Sequence, residues 1–167
     1  IAKFLNKSGI KLITNLNESV CEIELNNKIL GKELRNENVA SRASELAKEA
    51  EIRNSIIKIQ RDAYDSKKGL IADGRDMGTI IFPEAALKVF LQASPEVRAE
   101  RRANQLKVKG MSVIMHDLLK QIQQRDQEDI NRKISPLKPA DDSLVIDTSK
   151  LSIKEVEEKV MENFKKL

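Results

Sequence analysis

Three short stretches of this sequence carry residues that could act on phosphate. The first is residues 71–79, Ile-Ala-Asp-Gly-Arg-Asp-Met-Gly-Thr, where Asp73 and Asp76 flank the guanidinium of Arg75 at the end of an apolar run. Open α/β sheets bind ligands at the carboxyl ends of their strands. An acidic residue directly after a strand, as Asp73 would be, suits the hydration shell of a magnesium ion, which keeps several waters and takes few protein carboxylates. Arg75 offers a planar fork that matches phosphate oxygens, and Asp76 can accept hydrogen bonds from a ligand amine. A polar turn with solvated charges accounts for the same pattern equally well. The second stretch is residues 125–132. If it is helical, Arg125, Asp129 and Arg132 stand at i, i+4 and i+7 and share a face. Two cations around one anion can hold a phosphate together with the hydroxyls of a ribose, although a solvated, ion-paired helix face is the commoner use of such a stripe. The third is residues 98–102, whose arginines Arg98, Arg101 and Arg102 could clamp a migrating phosphoryl group or simply form a solvated basic face.

The elements that must position these residues are legible in outline. Residues 1–7 read as the end of a helix, stopped by Gly9. Alternating runs at 10–13, 20–25 and 28–30, with Asn26-Asn27 as a hairpin turn, predict a small antiparallel sheet. From Glu37 the spacing turns helical, with a bend expected at 48–51. Strands are expected at 70–72, 87–91 and 144–146. Helices are expected from Ser94-Pro95 to about Lys109, from a cap at Ser112 to about Arg132, and from Ile153 to Lys165. Strands alternating with helices imply an α/β domain with a parallel sheet.

The totals fit that picture. The 167 residues are 40% hydrophobic and 34% charged, which suits one globular domain with a small insert. Aromatics are 3%, so the core must rest on aliphatic side chains. A net charge of +4 favours an anionic partner without pointing to nucleic acid. No apolar run is long enough to span a membrane. The one histidine, His116, reads as a surface residue, and the one cysteine, Cys21, as a packed thiol. No Cys or His pair has zinc-site spacing, and no basic stretch is interleaved with aromatics for base stacking. A cytoplasmic location is the default expectation.

Taken together, residues 70–79, 98–102, 124–126 with Asp129, Asn131 and Arg132, then Pro136-Leu137, Pro139-Ala140 and the segment 144–152 resemble, in order and spacing, the signature of bacterial cytidylate kinases. The resemblance runs from about Val39 to the end. Over the first 38 residues it is weaker, and these look like the family's variable nucleotide-binding insert. It implies an α/β fold, a P-loop nucleoside monophosphate kinase core of three layers around a parallel sheet, with a small antiparallel insert. Residues 1–36 would be part of the insert and 37–167 the core, including lid helices over about 95–132. It also implies ATP-dependent phosphoryl transfer to CMP or dCMP, giving CDP or dCDP, with Mg2+ as cofactor, by a monomer without nucleic-acid or membrane partners. By the same resemblance Ser44, Arg53 and Asp76 match contacts to the cytosine ring, and Arg75 matches a position near the acceptor phosphate. Arg125 and Asp129 match contacts to the sugar, and Arg132 lines the acceptor nucleotide. Arg101 and Arg102 match lid arginines near the donor phosphates, so that Arg101, Arg102 and Arg125 form the expected catalytic set, with Asp73 holding the metal through water. A non-catalytic nucleotide-binding module, a less selective UMP/CMP kinase and a nucleic-acid-binding domain stand as alternatives.

One departure matters. The family's Gly-rich loop, G-x-x-x-x-G-K-[ST], which wraps donor phosphates with backbone N–H groups and a lysine, is absent from the 167 residues, as is the Tyr-Arg pair that follows it. The sequence opens on Ile1 inside a helical pattern. A truncated or incomplete sequence with little kinase activity of its own is therefore expected.

Overall fold

The computed structural model of the chain describes residues 9–15, 20–30, 34, 37–108 and 110–167. Two compact units divide it, Ile1–Ala72 and Asp73–Leu167. The helix expected over residues 1–7 lies outside the described residues.

In the first unit, strands β1 (Lys11–Asn15), β2 (Val20–Leu25) and β3 (Lys28–Leu30) form an antiparallel sheet in that order. Asn26 and Asn27 join β2 to β3 with φ of 51° and 62°. Positive φ at both central residues is the two-residue turn whose twist matches the strands, and Asn tolerates it better than other side chains. It pins the register Leu25↔Lys28. Helices α1 (Glu37–Leu46) and α2 (Ala50–Arg61) follow, with the chain bending at 47–49 as the spacing predicts. The expected strand at 70–72 does not form. Ile71 is fully exposed and Leu70 is 42% exposed. A strand persists only where a neighbour satisfies its N–H and C=O groups, and among the described residues none pairs with this run.

The second unit begins with a π-helical turn (Met77–Ile81), then β4 (Val89–Gln92), α3 (Pro95–Val108), α4 (Met115–Asn131), β5 (Leu144–Asp147) and α5 (Ile153–Phe164). β4 and β5 pair in parallel, from Val89↔Leu144 to Gln92↔Asp147, with α3 and α4 in the crossover between them. The mixed α/β architecture is thus the one expected. Pro95 opens α3 at the first helical position, where its missing N–H costs nothing, and Ser94 Oγ accepts from Val97 N at 3.3 Å. Gly110, at φ 74°, ends the helix in the left-handed region and lets Met111 N reach Leu106 O at 3.0 Å. α4 starts at Met115 rather than at a Ser112 cap. Ile114 sits at its N-terminus with no side-chain cap. The core of this unit gathers Ile81, Ala99, Ala103, Leu106 and Ile146. Ala99, Ala103 and Leu106 fall on one stripe of α3, and two alanines there let α4 pack closely.

Candidate functional site

The segment after Asp73 turns sharply into the π-helical turn. The carbonyl of Asp76 accepts from Ile80 N at 2.9 Å and Ile81 N at 3.2 Å, and Met77 O accepts from Phe82 N at 2.7 Å. Single π turns are rare and recur at functional sites. This one buries Asp76, 7% exposed, while Asp73 and Arg75 on the preceding residues stay exposed. Arg75 reaches α4 from there.

Its Nε stands 3.1 Å from Oδ2 of Asp129, and Nη1 of Arg132 stands 3.4 Å from the other carboxylate oxygen. Asp129 is 5% exposed, so a buried carboxylate is held between two guanidinium groups. The arrangement is not saturated. The Nε–H of Arg75 is not aligned on Oδ2, and no protein donor among the described residues hydrogen-bonds that oxygen. A buried charged acceptor left without a donor is costly. Arg132 is held further by its Nε, which donates to the carbonyl of Ser135. Ser135 is buried at φ 52°, a left-handed conformation that costs a non-glycine residue about 1–2 kcal/mol, and it precedes a proline. Leu137 N donates to Asp129 O at 2.8 Å, tying this loop back onto α4. Arg125, one turn earlier on α4, is exposed and makes no ion pair or hydrogen bond among the described residues.

The arginines of α3 are deployed differently. Arg98 spends three donors: Nε on Ala93 O at 3.0 Å, Nη1 on Asp126 Oδ1 at 2.8 Å, and Nη2 on Asp126 Oδ2. The hydrogen bonds it donates to Asp126 hold its guanidinium above the ordinary arginine range, against the opposing effect of partial burial. Arg101 grips the exit of β5, with Nη1 on Thr148 Oγ1 at 3.0 Å and Nη2 on Thr148 O at 2.5 Å and Leu151 O at 3.5 Å. Thr148, 6% exposed, also donates its hydroxyl to Gln92 O at 3.1 Å, so Arg101 closes a knot that joins both strands. Arg102 is half-buried, its Nη1 3.4 Å from Gln105 Oε1.

In the first unit Ser44 is half-buried on α1, and Arg53 on α2 donates from Nη1 to Ala47 O at 3.2 Å. The structure therefore brings Arg75, Asp129 and Arg132 together and sets Asp76 beside Arg75 in the chain. Arg101 sits instead on backbone carbonyls at the β5 exit. The sequence did not single out Ser135 or Thr148. Ser-Pro at 135–136 marks a turn, but nothing local marks a buried carbonyl aimed at an arginine. No cluster of three or more metal-ligating side chains occurs among the described residues. Magnesium held mainly by phosphate oxygens and water needs only one or two carboxylates, and the exposed Asp73 suits such a role.

A family model for cytidylate kinase matches residues 1–166. Curated relatives include the cytidylate kinase of Vibrio vulnificus (strain CMCP6), 46% identical over 141 residues, 84% of this chain and 62% of the relative. The cytidylate kinase of Shewanella denitrificans is 51% identical over 132 residues, 79% and 58% respectively. That of Fervidobacterium nodosum is 46% identical over 138 residues, 83% and 63%. In these matches the aligned region amounts to about three fifths of each relative's length.

Proposed function

The chain belongs to the cytidylate kinase family, and on that premise we propose that its residues serve ATP-dependent phosphoryl transfer to CMP and dCMP, giving CDP and dCDP. The observation that carries this reading is Asp129. Its buried Oδ2 has no protein donor aligned on it, between two guanidinium groups. A ribose hydroxyl supplies the missing donor, and the nucleotide's phosphate answers the positive charge of Arg75 and Arg132. Arg125, exposed and unengaged among the described residues, can add a further contact to the sugar or the migrating group.

Phosphoryl transfer asks little covalent chemistry of a protein. It asks for alignment, and for positive charge where negative charge moves. Arg102 and Arg101 are the proposed donor-phosphate arginines. To serve there, Arg101 would have to leave the carbonyls of Thr148 and Leu151. Ser44 and Arg53 of the first unit and Asp76 of the second are each proposed as base-reading residues. A donor-and-acceptor pattern of this kind rejects a base that leaves it unpaired more strongly than shape alone would. Magnesium, held through water by Asp73, would neutralise charge on the donor phosphates. The action of a monomer in the cytoplasm, on free nucleotides and apart from nucleic acid or membrane, belongs to the same proposal, as does the division into an insert over 1–36 and a core over 37–167.

Calorimetric titration of CMP, UMP and AMP tests the reading. CMP is expected to bind at least ten-fold tighter than AMP. Equal affinity for CMP and UMP would shift the reading to a less selective UMP/CMP kinase, and no binding of any of the three would overturn it. Because the 167 residues hold no G-x-x-x-x-G-K-[ST] loop, a polypeptide limited to them is expected to show little or no turnover in a coupled assay.

A further inference from the structure

α4 carries two aspartates one turn apart, Asp126 and Asp129, and both are ion-paired to arginines from elsewhere in the unit. Only Asp129 belongs to the proposed nucleotide site. Asp126 accepts both of its bonds from Arg98, and Arg98 also donates to the carbonyl of Ala93, the residue directly after β4. A guanidinium fork that engages both carboxylate oxygens fixes angle as well as distance. Arg98 thus references the rotation of α4 about its own axis to the carboxyl end of a sheet strand. The pair is partly buried, with side chains 32% and 19% exposed, so bulk water competes only in part. A rotation of α4 that broke this fork would swing Asp129, three residues on and on an adjacent line of the same helix, away from Arg75.

We propose that Arg98 and Asp126 form a positioning pair for nucleotide binding, setting the azimuth of α4 so that Asp129 meets both Arg75 and the sugar of a bound mononucleotide. The proposal rests on the nucleotide-site reading above. It assigns Arg98 a task other than phosphate contact, although Arg98 lies in the same arginine cluster as Arg101 and Arg102. Three donors already committed to protein acceptors leave it poorly placed to serve a phosphate as well.

A double-mutant cycle on CMP affinity distinguishes positioning from simple scaffolding. Asp126→Asn keeps the shape and loses the charge. It is expected to weaken CMP binding about ten-fold, whereas in an Asp129→Ala background the same change should cost no more than about two-fold. That shrinkage arises only if Asp126 acts through Asp129. Penalties that multiply independently, or an Asp126→Asn protein that binds CMP as tightly as the unmodified chain, would overturn the proposal. Arg98→Lys, which keeps the charge but loses the two-pronged grip, serves as the second variant should Asp126→Asn fold poorly, with the same expected shrinkage. An unmodified protein that binds no CMP at all would instead sink the nucleotide-site reading, so the two failures remain distinct.

Discussion

Asp126 and Asp129 sit three residues apart on one helix, each beside arginine, and they are satisfied to different degrees. Asp126 is closed. Both of its oxygens are taken by Arg98. Asp129 is more deeply buried yet open, since one oxygen receives Arg132 and the other lies near Arg75 without an aligned donor. On the proposed reading, charge identity and burial therefore do not separate a binding group from a structural one. Unspent hydrogen-bonding capacity does. A saturated pair gives its geometry to the fold, and an unsaturated one keeps capacity for a ligand.

The hardest test of that contrast is Asp129→Ala. It leaves Arg132 without its anion and removes the open acceptor, so CMP affinity should fall on the order of 100-fold. Stability should fall as well, by about 3 kcal/mol, because a buried guanidinium group loses the carboxylate that faces it. Unchanged CMP affinity with lowered stability, read by calorimetry and urea melts, would move Asp129 into the closed class. Arg101→Ala comes next. Its donors are spent on Thr148 and Leu151, so it should cost about 1–3 kcal/mol in urea melts while leaving CMP affinity within about two-fold. Loss of CMP binding at full stability would show that Arg101 belongs with the open groups. The smallest effect is expected at the start of α5, where Ser152 and Glu155 cap each other. Hydrogen bonds from the Ser152 side chain, and then from its backbone, hold the Glu155 carboxyl below its ordinary range. A depressed carboxyl favours the folded state above its ordinary value, and that advantage is lost as the pH falls through the lowered one. Ser152→Ala should thus lower the melting temperature slightly at neutral pH. The gap from the unmodified chain should narrow as the pH drops below the usual glutamate range, with CMP affinity untouched throughout.

What the sequence revealed follows from how far each signal reaches. The Asn26-Asn27 turn, the Pro95 start of α3 and its end near Lys109, and the span of α5 are all set by neighbours within a few residues, and all were legible. The apolar run at 70–72 read as a strand because composition does not reveal whether a ladder partner exists. The meeting of Arg75 with Asp129 was open to inference only as a shared face on α4, since it joins residues far apart in the chain. Arg101 was ambiguous for a related reason. An arginine beside a candidate phosphate site looks the same in sequence whether its donors face a ligand or a backbone carbonyl. Ser135 gave no sign beyond the turn that Ser-Pro marks. Its left-handed backbone is maintained by the burial around it and by the arginine its carbonyl receives.

The parallel ladder between β4 and β5 carries a kinetic consequence. Before Val89 can meet Leu144, residues 93–143 must be gathered into a closed loop, whose entropy is lost before any ladder bond repays it. The Asn26-Asn27 hairpin closes over two residues and forms within microseconds. In refolding, the first unit's sheet should therefore appear early, and the carboxyl edge of the β4–β5 pair, beside the proposed nucleotide site, should be among the last features to assemble.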